Sequence, residues 1–358
     1  MASKLHISGS TLWKIAAFGF VLALGTVYIG WDQFLRDGTT GFNEPLAFNV
    51  YPDGSIEQLA DSLVENDILS KKSGFLWLAK LTGWEDQIKA GHYEAKVGSS
   101  NKDLLSMLRR GEQTPIHMVV PGGTRKERLI RSMARKMAFS DQDLTAALND
   151  VSLAEELGTD TTHLWAAMIP DTYYFFWLAK PEDVIRKIKT RYDNIYQSAK
   201  ESGASIPENL TADEVLRMAG IVEWESAYVP EKATIAGVYF NRIKNRWPLQ
   251  ADPTVQYAIM KREGEKRRLL FKDYELRDPY NTYRFKGLPP GPITNPSLTS
   301  IESVLKPEEH GYFFFVAKGD GQHLFSRTLS EHTKKAQEYY RIMRQRRAEQ
   351  AARAAASD

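Results

Sequence analysis

The 358-residue chain contains no cysteine, which excludes a disulfide framework and any thiolate metal site but leaves the compartment open. Its seven histidines (His6, His92, His117, His163, His310, His323 and His332) are scattered, and none forms an H-x-x-x-H pair on a helix face. Neither a catalytic metal nor a cofactor is therefore expected. Charge of one sign is lacking too. Lys+Arg 47 against Asp+Glu 45 leaves a net charge of +2, too balanced for a protein whose main partner is nucleic acid. No internal repeat is visible. What is present is a 42% hydrophobic composition over a length sufficient for two or three domains with their own cores.

The run from Ile15 to Trp31 carries no charge and lies between Lys14 and Asp32. It reads as one membrane-spanning helix, residues 15–31, at the short end of what crosses a bilayer, with Trp13, Tyr28 and Trp31 at interfacial positions. A cleaved signal peptide is the alternative. The run is longer than a usual signal core, and no clear small-x-small cleavage site follows it. Lys4 and Lys14 precede the span while only Arg36 follows closely, so the positive-inside bias places residues 1–14 in the cytoplasm. The expected location is the inner (cytoplasmic) membrane, single-pass, with the rest of the chain outside.

A linker, residues 32–45, leads to a predicted strand at Leu46–Val50 and a helix capped by Ser55 and Gln58 that ends near Leu69. A helix over Phe75–Leu81, a strand over Tyr93–Val97, a helix over Ser100–Arg110 and a strand over Ile116–Val120 follow. Thr124–Met137 reads as a basic helix, most simply a solvated face. From Asp141 the pattern is mainly helical, broken at Ile169–Tyr173, where an aromatic cluster reaches Trp177. Pro181 opens a helix to about Ser202, and Thr211 with Glu214 caps the next. Pro230–Lys244 is amphipathic, and Tyr312–Ala317 with His323–Ser326 form a hairpin around Gly319-Asp320-Gly321.

The helix capped by Thr211 carries two acids in Glu223-Trp224-Glu225-Ser226. On a 3.6-residue period Met218, Ile221, Val222 and Glu225 share one side, so Glu225 projects from an apolar stripe, whereas Glu223 lies nearer Leu216 and Ala219. Periodicity leaves both acids as candidates and slightly favours Glu225. A carboxyl held against hydrocarbon stays protonated near neutral pH and can deliver its proton to a leaving oxygen, the chemistry of breaking glycosidic bonds. Further along, Asp252-Pro253 is a natural helix start, so Asp252 reads first as an N-cap. Gly287–Ile293 is too rich in Pro and Gly for regular structure.

Taken in order, Pro170-Asp171-Thr172-Tyr173, Glu223-Trp224-Glu225-Ser226, Leu249-Gln250-Ala251-Asp252-Pro253-Thr254, Tyr280-Asn281-Thr282-Tyr283, Gly287–Gly291, Asn295-Pro296 and Tyr312–Ala317 resemble the endolytic murein transglycosylases of the MltG or YceG-like type. The resemblance covers nearly the whole chain. It implies an α+β protein with an N-terminal transmembrane helix, a small LysM-like α/β subdomain at 46–120 and a larger, mainly helical catalytic domain with a β-hairpin at 121–340; separately, the tail at 341–358 continues a helix, becomes Arg- and Ala-rich, and is expected to fray. It further implies cleavage between N-acetylmuramic acid and N-acetylglucosamine inside peptidoglycan strands, leaving 1,6-anhydro ends. The family's catalytic acid corresponds to Glu225. Ser226, Gln250, Asp252, Thr254, Tyr280 and Asn281 fall in the matched motifs and are expected substrate-binding residues. Trp224, between the acids, departs from the charged residue expected there. Peptidoglycan synthases are candidate partners. Two other readings stay open: a wall-binding scaffold without catalysis, and a muramidase-type hydrolase with Glu225 as acid and Asp252 as its partner.

Overall fold

The computed structural model describes residues 9–35, 41–202 and 207–355. The chain divides into two compact units, one running to Ile116 and including Tyr174–Leu178, the other comprising 117–173 and the chain from Ala179 onward. The architecture is mainly helical, with six short strands in two-stranded sheets among the described residues.

Helix α1 (Gly9–Leu35) contains the predicted span, and Phe18, Phe20, Val21, Leu22, Leu24 and Val27 are exposed on it. Among the described residues no helix is long and apolar enough to cross a membrane. Ile15 and residues 29–31 of the predicted span lie outside the residues whose side chains are described, as do parts of the predicted cytoplasmic segment and linker.

The rest of the first unit has strand β1 (Leu46–Val50), helices α2 (Ile56–Glu65) and α3 (Lys72–Thr82), strand β2 (Gly91–Ala95) and helix α4 (Asn101–Arg110). Ser55 and Gln58 form the expected capping box of α2, and Ser100 with Asp103 caps α4 in the same way. Helix α2 stops four residues before the expected end. Asp67 turns left-handed at φ 55°, and the amides of Ile68 and Leu69 then donate to Leu63 O, which folds both side chains into the core. Strands β1 and β2 pair antiparallel, Leu46 opposite Ala95 and Val50 opposite Gly91. Because β1 begins at Leu46, Lys96 and Val97 have no partner in this pairing, and β2 lies two residues earlier than its apolar pattern suggests. Phe48, Leu63, Phe75, Tyr93, Leu105 and Leu108 fill the core between sheet and helices.

The second unit contains most of strand β3 (Ile116–Val120), helices α5 (Lys126–Ala134), α6 (Asp141–Leu148) and α7 (Val151–Glu156), part of strand β4 (Asp171–Phe175), and the long helix α8 (Pro181–Glu201). Helices α9 (Ala212–Glu225), α10 (Lys232–Lys244), α11 (Asp252–Glu263) and α12 (Leu298–Leu305), strands β5 (Phe314–Ala317) and β6 (His323–Ser326), and helix α13 (Leu329–Ala355) complete it. The basic helix α5 is shorter at both ends than expected, and it buries Leu129, Ile130, Met133 and Ala134.

Helix α9 lies at the centre. Thr211 and Glu214 close its capping box, and Val215, Leu216, Met218, Ala219, Ile221 and Val222 are all fully buried, so both sides of the helix meet neighbours. Helices α10, α11 and α12 pack against it. The irregular 287–296 segment packs against α9 at Gly220, where a Cβ would make ordinary contact with Thr294 O at 3.4 Å and Ile293 Cγ1 at 3.7 Å. Helix α10 holds the chain that leads into the hairpin, since Asn241 Nδ2 donates to His310 O (2.8 Å) and Tyr312 O (2.9 Å), and Arg242 Nε to Phe313 O (2.8 Å). The tail expected to fray from 341 stays helical as far as Ala355. Its Ala, Arg, Glu and Gln content is strongly helix-forming, and Arg341 pairs with Glu338 one turn earlier at 2.6 Å.

Candidate active site

Glu225 is the last residue of α9, where Ser226 turns extended (φ −143°, ψ 132°) and ends the helix. Its carboxyl lines two adjoining cavities of about 700 and 410 Å³, which share Glu225, Asp252, Tyr274 and Tyr340. Burial pushes this carboxyl up to about 7; the nearby Asp252 adds to the effect, while the Tyr239 hydroxyl and Arg242 oppose it. The negative end of the α9 dipole also disfavours a charge at this position. Glu225 is therefore an acid poised to give and take a proton near neutrality.

Tyr239, on α10 and 1% exposed, donates its hydroxyl to Glu225 Oε1. Its ring meets Phe315 of β5 edge-on at 6.0 Å. Burial and the adjacent carboxyl raise the phenol far above its ordinary range, so it acts as a donor. Arg242, one turn further along α10, is 7% exposed and is held by the carbonyls of Phe313 and Leu249.

Asp252 is the first residue of α11 rather than its cap; Ala251 occupies the N-cap position. Two tyrosines fix the Asp252 carboxylate, Tyr283 Oη at 2.6 Å and Tyr274 Oη at 3.3 Å. Burial first, and then the Asp252 charge, raise both phenols, Tyr274 to about 12. Asp252 thus faces the same cavities as Glu225 with its position set by side chains that follow it in sequence.

The other acid of the pair has a different environment. Glu223 accepts hydrogen bonds from Lys232 Nζ (3.0 Å), Ser300 Oγ (2.5 Å), and the amide (3.2 Å) and hydroxyl of Ser297. Burial opposes its ionisation, yet these bonds outweigh it and hold the carboxyl below its ordinary value. Lys232, 3% exposed, also reaches Ser297 Oγ (3.2 Å) and Thr299 Oγ1 (3.3 Å). Glu223 therefore ties α9 to α10 and α12 as a charged strut. The two acids differ in environment: Glu225 is raised to about 7 and faces a cavity, whereas Glu223 is held ionised and fully engaged.

The remaining residues singled out in the sequence divide. Gln250 is exposed, adopts φ 50°, and lines the smaller cavity. Thr254 is fully buried, where its hydroxyl donates to Ala251 O (2.7 Å) and meets Thr282 Oγ1 (2.9 Å). Asn281 is equally buried, giving its amide to Tyr274 O (3.0 Å) and Leu276 O (2.8 Å) and accepting from the Tyr283 amide (3.0 Å). Both brace the Asp252 start and the two tyrosines and offer no surface to a ligand. Ser226 is buried with its hydroxyl accepting from the Tyr228 amide, and Tyr280 packs on Tyr257 at 4.8 Å; neither lines a cavity that reaches Glu225. Tyr239, Arg242 and Tyr274 join the site without being marked by any of the sequence motifs. The only local signal was the position of Tyr239 and Arg242 one turn apart on an amphipathic helix, which does not distinguish a core tyrosine from a donor.

A larger groove of about 960 Å³ lies along α8, lined by Lys187, Arg191, Thr299, Glu302 and others. Its one acidic residue among those described, Glu302, is exposed, so volume does not mark the chemistry here. Asp160, His163 and Asp213 bring ligand atoms within 4.8 Å of one another, but His163 Nδ1 already bonds Asp160 at 2.9 Å and Thr159 Oγ1 donates to Asp213. None of the three lines the Glu225 cavities.

The sequence profile of the YceG-like family matches residues 48–338, which takes in Glu223, Glu225, Asp252 and the hairpin. A Bacillus subtilis (strain 168) protein named endolytic murein transglycosylase is 30% identical over 337 residues, 89% of this chain and 91% of that protein. A protein of the same name from Streptococcus pneumoniae (strain ATCC BAA-255 / R6) is 26% identical over 322 residues, and the match spans 57% of its length. A crystal structure of a yceG-like protein from Listeria monocytogenes superposes with a TM-score of 0.53 at 25% identity, covering 82% of this chain and 99% of that one. The chain belongs to the YceG-like family.

Proposed function

We propose that this protein is an endolytic peptidoglycan lytic transglycosylase that cuts N-acetylmuramic acid–N-acetylglucosamine bonds within glycan strands. The observation that carries the reading is the Glu225 carboxyl, desolvated to about 7 at a cavity wall with Tyr239 donating to Oε1. Protonated Glu225 gives its proton to the glycosidic oxygen as the bond to C1 of the muramoyl residue breaks. The carboxylate then takes the proton of the C6 hydroxyl, whose oxygen bonds to C1 and closes the 1,6-anhydro ring. The proton count is restored and no water is consumed.

One acid suffices for that route. Asp252, in the same cavities, supports hydrolysis as the second reading, in which it would direct water onto C1. Digesting glycan strands with the protein and weighing the new ends separates the two, because hydrolysis adds a water. A Glu225→Gln variant that still released anhydro ends would remove this acid from the reaction.

The proposal includes the setting expected from sequence: an anchor through 15–31, a LysM-like subdomain at 46–120 and a catalytic domain at 121–340 outside the cytoplasm, where synthases of the same polymer would be within reach. The β1–α2–α3–β2 order with antiparallel strands supports the LysM-like part, and the exposed apolar side chains of α1 support the anchor. Release of the full chain from membranes by carbonate, without detergent, would sink the anchor.

A further inference from the structure

The larger Glu225 cavity has a wall that the cleavage chemistry does not use. Lys266, Arg268, Leu270 and Phe271 line it from the segment that follows α11, facing the side that holds Trp224, Glu225 and Asp252. The segment is built rather than loose. Arg267, between the two cations, has its guanidinium bonded to Asp273 at 2.6 and 3.0 Å and to Glu263 at 2.6 and 3.0 Å. Asp273 is 4% exposed and also accepts the Leu270 amide at 2.6 Å. Locking the middle side chain to the body of the protein leaves its two neighbours, at i−1 and i+1, to line the cavity. Lys266 Nζ sits 5.3 Å from the centre of the Trp224 ring, beside the reacting acid. Phe271, 94% exposed, stands at the rim.

Two cations on a fixed strap, with no acid opposite except the two of the reaction centre, form a recognition wall for an anion. On the reading proposed above, the substrate that enters carries carboxylates on the lactyl arm of N-acetylmuramic acid, either the lactyl acid itself or those of an attached peptide. We propose that Lys266 and Arg268 form a carboxylate-recognition subsite for that arm, so that this enzyme selects anionic strands and seats the muramoyl residue over Glu225. This deepens the proposed function and rests on it.

The test measures binding of labelled glycan strands to full-length Glu225→Gln protein, in which turnover is slowed, with and without Lys266→Gln and Arg268→Gln. Three strands are compared: peptide-bearing, denuded with a free lactyl carboxylate, and peptide-bearing with every carboxylate amidated. The expected result is a fivefold to tenfold loss of affinity, of the size about two surface charges supply, on the anionic strands alone, with a weaker salt dependence. Which anionic strand suffers identifies the carboxylate. Equal loss on amidated strands, or no loss on any, overturns the subsite. Cleavage of the same strands by the unsubstituted protein is scored separately, so failure of the lytic reading is seen independently of the binding result.

Discussion

The hydroxyl of Tyr239 donates to Oε1 of Glu225, joining the last residue of α9 to the middle of α10 inside the protein. With Oε1 engaged as an acceptor, Oε2 is left to carry the acid's proton. The bond also moderates the acid, since it stabilises the carboxylate against the burial that disfavours it.

Tyr239→Phe therefore raises the pKa of Glu225 further above about 7. Because the protonated form starts the reaction, the basic limb of the pH–rate profile should move to higher pH while the rate at neutrality falls about tenfold or more, as the conjugate base becomes poorly oriented. A profile superimposable on that of the unsubstituted protein would show that the contact has no part in the chemistry.

Glu225→Gln should lower the rate by about 10²–10⁴ fold and stabilise the fold at alkaline pH. The folded acid titrates at about 7 against 4.5 when unfolded. Its stabilising contribution is full below 4.5 and is lost as pH rises through 7. At about 1.4 kcal/mol per pH unit, ionising it costs up to about 3 kcal/mol at pH 8. Urea midpoints of the two proteins should differ at pH 8 and converge at pH 4.

Glu223 has the opposite sign. Its carboxyl is depressed when folded, so the stability it contributes is present above 4.5 and disappears as pH falls below that value. Glu223→Gln should flatten this acid limb of the stability curve. Lys232→Met, which leaves the half-buried carboxylate without its cation, should cost about 3 kcal/mol at neutral pH, read from chemical denaturation.

Gly237 lies on α10 two residues before Tyr239. A Cβ there would collide with Glu308 O and sit 2.6 Å from His310 Nε2. Since Glu308 is backbone-bonded to Ala233 at 3.1 Å, it has little room to move, and Gly237→Ala should destabilise by about 1–3 kcal/mol. An unchanged melting temperature would mean that the 308–310 segment yields freely.

Local patterns in the chain carried much of this arrangement. The Thr211–Glu214 cap, the Pro181 helix start and the hairpin glycines are each set by neighbours within a turn or two, and each recurs in the structure, whereas the one-sided stripe read around Glu225 becomes a helix buried on both sides. What was not legible depends on distant partners. Asp252 reads as a cap until Tyr274 and Tyr283, 22 and 31 residues later, fold back onto its carboxylate. Nothing near Lys232 in the chain announces that its ammonium is held by Glu223, Ser297 and Ser300. Thr254 and Asn281 sit in motif positions that suggest ligand contact, yet their hydrogen bonds close within the protein.

The central claim is that Glu225 moves one proton out and back while the substrate's own hydroxyl closes on C1. Digestion of defined glycan strands in water enriched in oxygen-18, followed by mass spectrometry of the new muramoyl ends, tests it directly. The account predicts anhydro ends with no heavy oxygen, formed by the unsubstituted protein and all but absent with Glu225→Gln. Reducing ends carrying the label would contradict it and assign the bond cleavage to water.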